Sequence, residues 1–323
     1  MSSPIMLAFV ATVLAIGVLR PVAGLVGWRA PQGRNAARGF VPPVVGGLAL
    51  WCALAVVWLF PGAGIDLPPE FLGLFALRLL VPAIGGQFWG VWLVAAADAL
   101  VCAAIVQQIE GELAGLHAWL EVLAGVALMH GVHRLRGLDG IAAVVMGIAQ
   151  AALAAVTTGA AHVLAMTGAA AVVALLLFNF PSHLNRGWRV QLGQGGGGHV
   201  ALVFLVAGRW AMDAPGAGAI QPVELLWLLP LPTCEVLRLL MGQPQPAHRR
   251  LLDSGFSVVA LFLLYALMSL LPALVLMLIR PPQDVLLPVF GGLVLLWFGV
   301  LHYAPRLMWR LPWQLRRIDV PRG

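Results

Sequence analysis

Long apolar segments alternate with short polar ones along almost the whole chain. A helix needs about 20 apolar residues to cross a bilayer, and the apolar runs approach this length. The pattern predicts an all-α integral membrane protein, a polytopic bundle that forms a single transmembrane domain over residues 1–323. Ten helices is the alternative count, because the joints at residues 85–86 and 157–158 are tight. We predict eleven transmembrane helices, at residues 4–26, 43–60, 69–85, 88–108, 113–132, 139–156, 159–178, 199–214, 221–241, 256–279 and 285–304.

The composition supports the same class. The 323 residues are 61% hydrophobic and only 10% charged, with a mean hydropathy of +0.94, whereas soluble domains carry roughly 25% charged residues. All nineteen basic residues are arginines, and they flank apolar segments instead of forming a basic domain. The net charge of +6 therefore indicates positive charge beside a lipid bilayer and predicts no nucleic-acid partner.

The positions of the arginines predict the orientation of the chain. With the N-terminus outside, the inward-facing segments and their adjoining helix ends hold fifteen arginines. The outward segments hold only Arg209 and Arg280. Because positively charged residues are enriched on the cytoplasmic side of a membrane, we expect the N-terminus outside and the C-terminus in the cytoplasm.

Three polar segments interrupt the apolar pattern, and the predicted topology places all of them on the cytoplasmic face. They are residues 130–140, 178–199 and 243–255. Two interpretations remain open at this point. The segments can form one site, or they can be separate loops that are basic only because cytoplasmic loops generally are.

The longest of these segments carries Arg186 and Arg189, followed by a run of glycines at residues 193–198 that only Gln194 interrupts. In a loop, glycine N–H groups can turn toward an anion because no Cβ blocks the approach. The run therefore indicates either an anion-binding loop or a flexible connection between two membrane helices.

Several short motifs follow one another in a recognisable order. Pro43 to Ala49 (PVVGGLA) opens the second predicted helix, residues 133–140 are HRLRGLDG, and residues 178–181 are FNFP. A late helix over residues 222–237 precedes a histidine-bearing segment at residues 248–257. In order and spacing the chain resembles the polyprenyl-phosphate N-acetylhexosamine-1-phosphate transferases, a glycosyltransferase family 4-like group, and in particular the branch that initiates O-antigen and teichoic-acid chains.

The resemblance implies transfer of a sugar-1-phosphate from a UDP-sugar to undecaprenyl phosphate, with release of UMP. It implies a multi-pass protein of the bacterial inner (plasma) membrane, with its polar site on the cytoplasmic face, in cell-envelope polysaccharide biosynthesis. It also implies magnesium, which brings two anionic phosphates together and neutralises the leaving group. Family members hold the metal with an Asp-Asp pair and with the aspartate of a Gly-Asp-x-Gly-Ser loop.

This chain departs from the family at those acidic positions. Gly85 and Gly86 stand where the Asp-Asp pair is expected, and Gln194 stands at the loop aspartate. Arg136 replaces the first aspartate of the middle motif, where only Asp139 remains. Exchanging an aspartate for an arginine changes the local charge by two units and disfavours a divalent cation. We therefore expect an ancestral acidic pocket rebuilt as a positively charged one, with metal-dependent catalysis lost or altered.

Two functions follow from these residues. In an enzyme with an altered site, the catalytic candidates are Asp139, Glu235 and His248, and magnesium is needed only if the chain is active. A non-catalytic homologue, or pseudoenzyme, would instead bind polyprenyl phosphate or a partner membrane protein. In both cases, the residues predicted to bind phosphate or nucleotide are Arg134, Arg136, Asn179, Arg186, Arg189, Gly193, Gln194 and Arg249.

Asp98 and Glu121 lie inside predicted helices. Carboxylates within a membrane are functional candidates, because burying an unpaired charge is costly. The equally open alternative is that they pair, with Arg78 or with a hydroxyl of a neighbouring helix.

Overall fold

A computed structural model describes residues 3–26, 45–60, 65, 68–84, 90–110, 115–135, 140–180, 190–214 and 219–310. All regular secondary structure in these residues is α-helical. Each of the eleven predicted segments overlaps at least one helix. The helices are α1 (Ser3–Leu25), α2 (Gly46–Leu59), α3 (Pro69–Ile84), α4 (Gly90–Glu110), α5 (Leu116–Leu135), α6 (Ile141–Val156), α7 (Gly159–Asn179), α8 (Gly193–Met212), α9 (Pro222–Trp227), α10 (Pro230–Leu240), α11 (Ala247–Asp253), α12 (Val258–Leu278) and α13 (Gln283–Arg310).

Four helices are long and apolar enough to cross a membrane. They cover Pro4–Leu25, Gly159–Asn179, Val258–Leu278 and Gln283–Ala304. Shorter apolar helices occupy Gly46–Leu59, Leu93–Gln108 and Ile141–Val156. The chain is thus an all-helical protein with the character of a membrane protein, as its composition predicts. The eleven spans and the outside N-terminus stay predictions.

The centre of the bundle is built from α6, α7 and α8. Helix α6 packs between α7 and α12, α7 also contacts α1, and α8 contacts α2, α3, α5 and α7. Many small residues face this centre, and Ala149, Ala165 and Ala201 are almost or completely buried. Small residues allow helices to approach closely. In a membrane, lipid is as apolar as the helix surfaces, so helices associate through such close packing and not through a hydrophobic driving force.

The glycine run was predicted to be a loop, and that prediction is wrong. Helix α8 begins at Gly193, not at residue 199, so the run forms its first turns. A Cβ on Gly196 would lie 2.8 Å from the Cα of Gly47 on α2, and one on Gly195 would lie 2.9 Å from the Cα of Leu79 on α3. The glycines are therefore required by the close approach of three helices, which offsets their weak helix propensity.

The predicted helix at residues 221–241 is also divided. Helix α9 ends at Trp227 and α10 begins at Pro230. Pro230 and Pro232 lack an N–H group, so they cannot continue the hydrogen bonds of α9, but the first turn of a new helix tolerates them. The Trp227 indole donates a hydrogen bond to the Pro272 carbonyl of α12 at 2.7 Å. This bond holds the end of α9 against α12.

Several helix ends meet around Asn179 at one end of the bundle. The Asn179 side chain accepts a hydrogen bond from the Gly140 N–H at 2.6 Å and donates one to the Val190 carbonyl at 2.7 Å. The Gly46 N–H donates to the Gln191 carbonyl at 2.9 Å. The starts of α2, α6 and α8 and the end of α7 are thus held together.

Candidate functional site

Four arginines lie together near this end of the bundle, on α5, α10 and α11. Arg134 is in the last turn of α5, Arg238 is in the last turn of α10, and Arg249 and Arg250 are on the short helix α11. We call these four residues the arginine cluster. Glu235 lies among them, one turn before Arg238.

Glu235 is completely buried, and both of its carboxylate oxygens are engaged. Oε2 accepts a hydrogen bond from Arg134 Nε at 3.0 Å. Oε1 accepts one from the Ala247 N–H, the first helical residue of α11, at 2.8 Å. A carboxylate in this setting neutralises an arginine and caps a helix start. Each oxygen of this catalytic candidate thus already accepts a hydrogen bond from a group of the protein.

The arginine cluster also shapes the connection between α10 and α11. Arg134 Nη2 donates to the Gln243 carbonyl at 2.9 Å, and Arg238 Nη2 donates to the Gln245 carbonyl at 3.3 Å. Arg250 Nη1 donates to Oε1 of Gln243 at 3.1 Å. These bonds hold the segment in place, and they leave Arg249 exposed at the surface.

Arg238 is the residue of this site that the sequence did not single out. It is fully buried, and its Nε and Nη1 atoms have no hydrogen-bond partner among the described residues. The buried hydroxyl-bearing side chain of Tyr265 lies beside it, and so does His248. The signal that could have found Arg238 is its position three residues after Glu235, which puts both side chains on one face of the helix.

His248 is 1% exposed and shares the positive field of the cluster. Burial, followed by the charges of Arg134, Arg249 and Arg238, lowers the pKa of His248 to about 4. The imidazole is therefore neutral at pH 7, and the three arginines supply the positive charge. Its Nδ1 atom has no hydrogen-bond partner in the described part of the chain.

The other predicted site residues divide into three groups. Asn179 uses both ends of its amide on backbone groups, as described above. Gly193 and Gln194 are the first residues of α8, and Gly193 has a positive φ of 72°. The last group lies outside the described residues and comprises Arg136, Asp139, Arg186 and Arg189.

A second polar cluster lies on the α3–α4–α5 side of the bundle. Asp98 of α4 pairs with Arg78 of α3, and both side chains are fully buried. This pairing is one of the two alternatives left open by the sequence. His130 and His133 of α5 complete the cluster. On α5, Glu121 pairs with Arg209 of α8 at 3.5 Å.

Within the described ranges, no group of three or more His, Cys, Asp or Glu side chains is placed to hold a metal ion. Three described carboxylates inside the bundle, Asp98, Glu235 and Glu121, each pair with an arginine. A carboxylate that is paired with an arginine is a weaker ligand for a cation.

No protein-family model matches the chain, and no curated protein matches it either. The likeness to the sugar-phosphate transferases therefore rests on the motifs in the sequence.

Proposed function

We propose that this chain is a multi-pass protein of the bacterial plasma membrane that binds a phosphate-bearing polyprenyl lipid at the arginine cluster. In this proposal the cluster lies on the cytoplasmic face, as the distribution of arginines along the chain predicts. The protein is a relative of the sugar-phosphate transferases in which magnesium-dependent transfer has been lost. The observation that carries the proposal is the contrast between Glu235, whose two oxygens are engaged, and Arg238, whose Nε and Nη1 are buried without a partner among the described residues.

A buried guanidinium with two unsatisfied nitrogens favours an oxyanion as its partner. Guanidinium N–H groups form charge-assisted hydrogen bonds that match the geometry of phosphate oxygens. The neutral His248 beside Arg238 can add a further hydrogen bond to a phosphate without adding charge. Exposed Arg249, on the same short helix, lies where an incoming headgroup would first meet the cluster.

The charge balance supports the same choice of ligand. The arginine cluster contributes four positive charges, and the carboxylates on α10 and α11 are Glu235 and the exposed Asp253. The carboxylate of α5, Glu121, pairs with Arg209 of α8. A surplus of positive charge in a partly desolvated setting attracts phosphate and repels a free divalent cation.

Magnesium does not fit the residues that are described. It prefers several carboxylate or water oxygens in octahedral geometry. Glu235 is already bonded to an arginine and to a backbone N–H group. Of the acidic positions of the family motifs discussed above, only Asp139 is still acidic, and the others are glycine, glutamine and arginine. Transfer that depends on magnesium would need ligands that the described part of the site does not supply.

The proposal can be tested with the purified full chain in lipid nanodiscs. Undecaprenyl phosphate is titrated against the corresponding alcohol, which has the same chain without the phosphate. We expect binding of the phosphate only, unchanged by EDTA, and weakened about tenfold or more by Arg249→Gln, which corresponds to about 1.4 kcal/mol. Arg280→Gln is the control. Arg280 lies away from the cluster and pairs with Glu224, with 2.8 Å between Arg280 Nε and Glu224 Oε1.

The same preparation tests for catalysis. Protein, undecaprenyl phosphate and UDP-N-acetylhexosamines are incubated with and without magnesium, and released UMP is measured. Magnesium-dependent release of UMP that Asp139→Asn abolishes would overturn the proposed loss of catalysis. Equal binding of the lipid phosphate and the alcohol would overturn phosphate recognition.

A further inference from the structure

The second polar cluster has an unusual feature at its centre. Asp98 is fully buried on α4, with Arg78 of α3 on one side and His130 and His133 of α5 on the other. We call these four residues the Asp98 cluster. A buried carboxylate needs partners for both of its oxygens.

Neither oxygen of Asp98 accepts a hydrogen bond from a described residue, and only Oδ1 forms a close ion pair with an arginine. Oδ1 pairs with Arg78 Nε. Oδ2 lies 3.6 Å from His133 Nε2 and 3.7 Å from His130 Nδ1, beyond hydrogen-bond range. It has no hydrogen bond from any residue of the described part of the chain. Two imidazoles thus face a buried carboxylate oxygen that lacks a donor.

The hydrogen bonds of the two histidines explain why neither supplies that donor. Arg78 Nη2 donates to His133 Nε2, so this nitrogen acts as an acceptor and the neutral ring carries its hydrogen on Nδ1. His130 Nδ1 lies 3.1 Å from the Val126 carbonyl, so its hydrogen is directed there and not toward Asp98. The missing donor can come from a proton added to His133.

From this geometry we propose that His133 and Asp98 form a proton-accepting site inside the helical bundle. A proton from solvent forms a new N–H bond at His133 Nε2, which then donates to Asp98 Oδ2. The hydrogen bond from Arg78 to His133 is lost in the same step, because Nε2 no longer has a lone pair. No other bond changes, and the charge of the Asp98 cluster rises by one.

His130 provides the side of the cluster that is open to the exterior. Its side chain is 28% exposed, against 11% for His133 and none for Asp98. Its ring centre is 6.1 Å from that of His133. His130 is therefore the more exposed of the two imidazoles that face Asp98.

Several described groups lie around the site on the neighbouring helices. Arg78 is the charged group from α3, and Cys102 faces the Arg78–Asp98 pair from α4. From α10, Glu235 is bonded to Arg134. Helix α8 contributes glycine at its contact points.

This contact with α8 links proton uptake to helix packing. A Cβ on Gly198 would lie 2.8 to 2.9 Å from the Arg78 guanidinium, and one on Gly197 would lie 3.5 Å from His133 Nδ1. Arg78 is therefore enclosed by α8, and a change in its bond to His133 is transmitted to the start of that helix.

The test follows the histidine ring nitrogens of the full-length protein in detergent micelles by ¹⁵N NMR between pH 8 and pH 5, the range in which imidazoles ordinarily titrate. His133→Gln assigns the His133 signals, and glutamine is suitable because it can accept from Arg78 and donate to Asp98 at once. We expect the His133 ring to change from the neutral to the doubly protonated pattern, while His248 stays neutral in the same spectra.

Asp98→Asn removes the carboxylate and should abolish the change at His133. His162→Gln is the matched control, since its Nδ1 also lies near a backbone carbonyl, at 2.7 Å, and no carboxylate pairs with it among the described residues. If Asp98→Asn does not fold, the wild-type spectra still decide the question. His133 signals that stay neutral from pH 8 to pH 5 would overturn the proposal, and so would a change that persists in Asp98→Asn.

Discussion

Arg134 and Glu235 are 101 positions apart in the sequence, and their side chains form a hydrogen-bonded ion pair of 3.0 Å that joins α5 to α10. Glu235 also accepts the N–H that opens α11. One carboxylate thus connects three helices at the end of the bundle where the arginine cluster lies. In the proposed function, this pair is the scaffold of the site, and Arg238 and Arg249 are the residues left to contact a phosphate.

The first prediction concerns this pair. Arg134→Gln should lower the free energy of unfolding by about 3 kcal/mol, because it leaves a buried charge on Glu235 without a partner. Glu235→Gln keeps an oxygen that can accept from the Ala247 N–H. A double-mutant cycle, measured by denaturant unfolding in micelles, should therefore show the two substitutions to be strongly non-additive.

The control for this cycle is the pair formed by Glu121 and Arg209. Its distance is 3.5 Å, and Glu121 is 21% exposed, so its coupling should be well below that of the buried pair. A coupling energy near zero for Arg134 and Glu235 would contradict the scaffold role.

The second prediction concerns the glycines of α8. A Cβ on Gly47 would lie 2.5 Å from the Cα of Gly196, a backbone atom that cannot rotate away. Gly47→Ala and Gly196→Ala should each destabilise the protein by about 1–3 kcal/mol, as overpacking generally does. The measurement is the unfolding midpoint of each variant in the same detergent.

Gly73→Ala is the matched control on α3. No atom outside its own helix lies within 4 Å of the position that its Cβ would take. Alanine is the better helix former by about 1 kcal/mol, so this substitution should be neutral or stabilising. If Gly196→Ala behaves like Gly73→Ala, the close approach of α2 and α8 is wrong.

The sequence predicts most of the helices but not the role of the glycine run. Apolar runs of membrane length leave little alternative to helix, because backbone groups without water must bond within their own segment. A glycine run has no such signal, since its helical form here depends on Gly47 and Leu79 approaching from other helices. Only tertiary structure distinguishes a glycine loop from a glycine contact surface.

Only part of the candidate site could be predicted from the sequence. The motifs singled out Arg134, Glu235, His248 and Arg249, and the structure places all four near one end of the bundle. Arg238 was missed, because an arginine near the end of a predicted membrane helix is ordinarily a lipid-facing flank. Its burial follows from the packing of α10 against α5 and α13, which no local pattern reports.

The third prediction concerns Asn179. Its amide bridges the Gly140 N–H and the Val190 carbonyl, and its side chain is buried. Asn179→Ala leaves both backbone groups without this partner, so we expect a loss of about 2–6 kcal/mol, counting roughly 1–3 for each buried group. Asn179→Asp keeps the acceptor for Gly140 but faces Val190 with a second acceptor, so it should not restore stability. Full stability of Asn179→Ala in thermal unfolding would show that the bridge is dispensable.

The last prediction concerns the pH dependence of stability at His248. Burial and the charges of Arg134, Arg249 and Arg238 lower the pKa of His248 to about 4, from the ordinary value of 6.5 that it regains on unfolding. Between these two values the unfolded chain binds a proton that the folded chain does not. The free energy of unfolding therefore falls as the pH is lowered through this window, by about 3 kcal/mol in total, and it is unaffected by His248 above about pH 7.

His248→Gln removes this contribution, because glutamine does not titrate. The difference in unfolding free energy between wild type and His248→Gln should change by about 3 kcal/mol between pH 7 and pH 4. Contributions from other residues, including the Asp98 cluster, cancel in this difference. A difference that stays constant from pH 7 to pH 4 would mean that His248 is protonated in the folded state. The proposed phosphate would then meet a charged imidazole as well as the arginines.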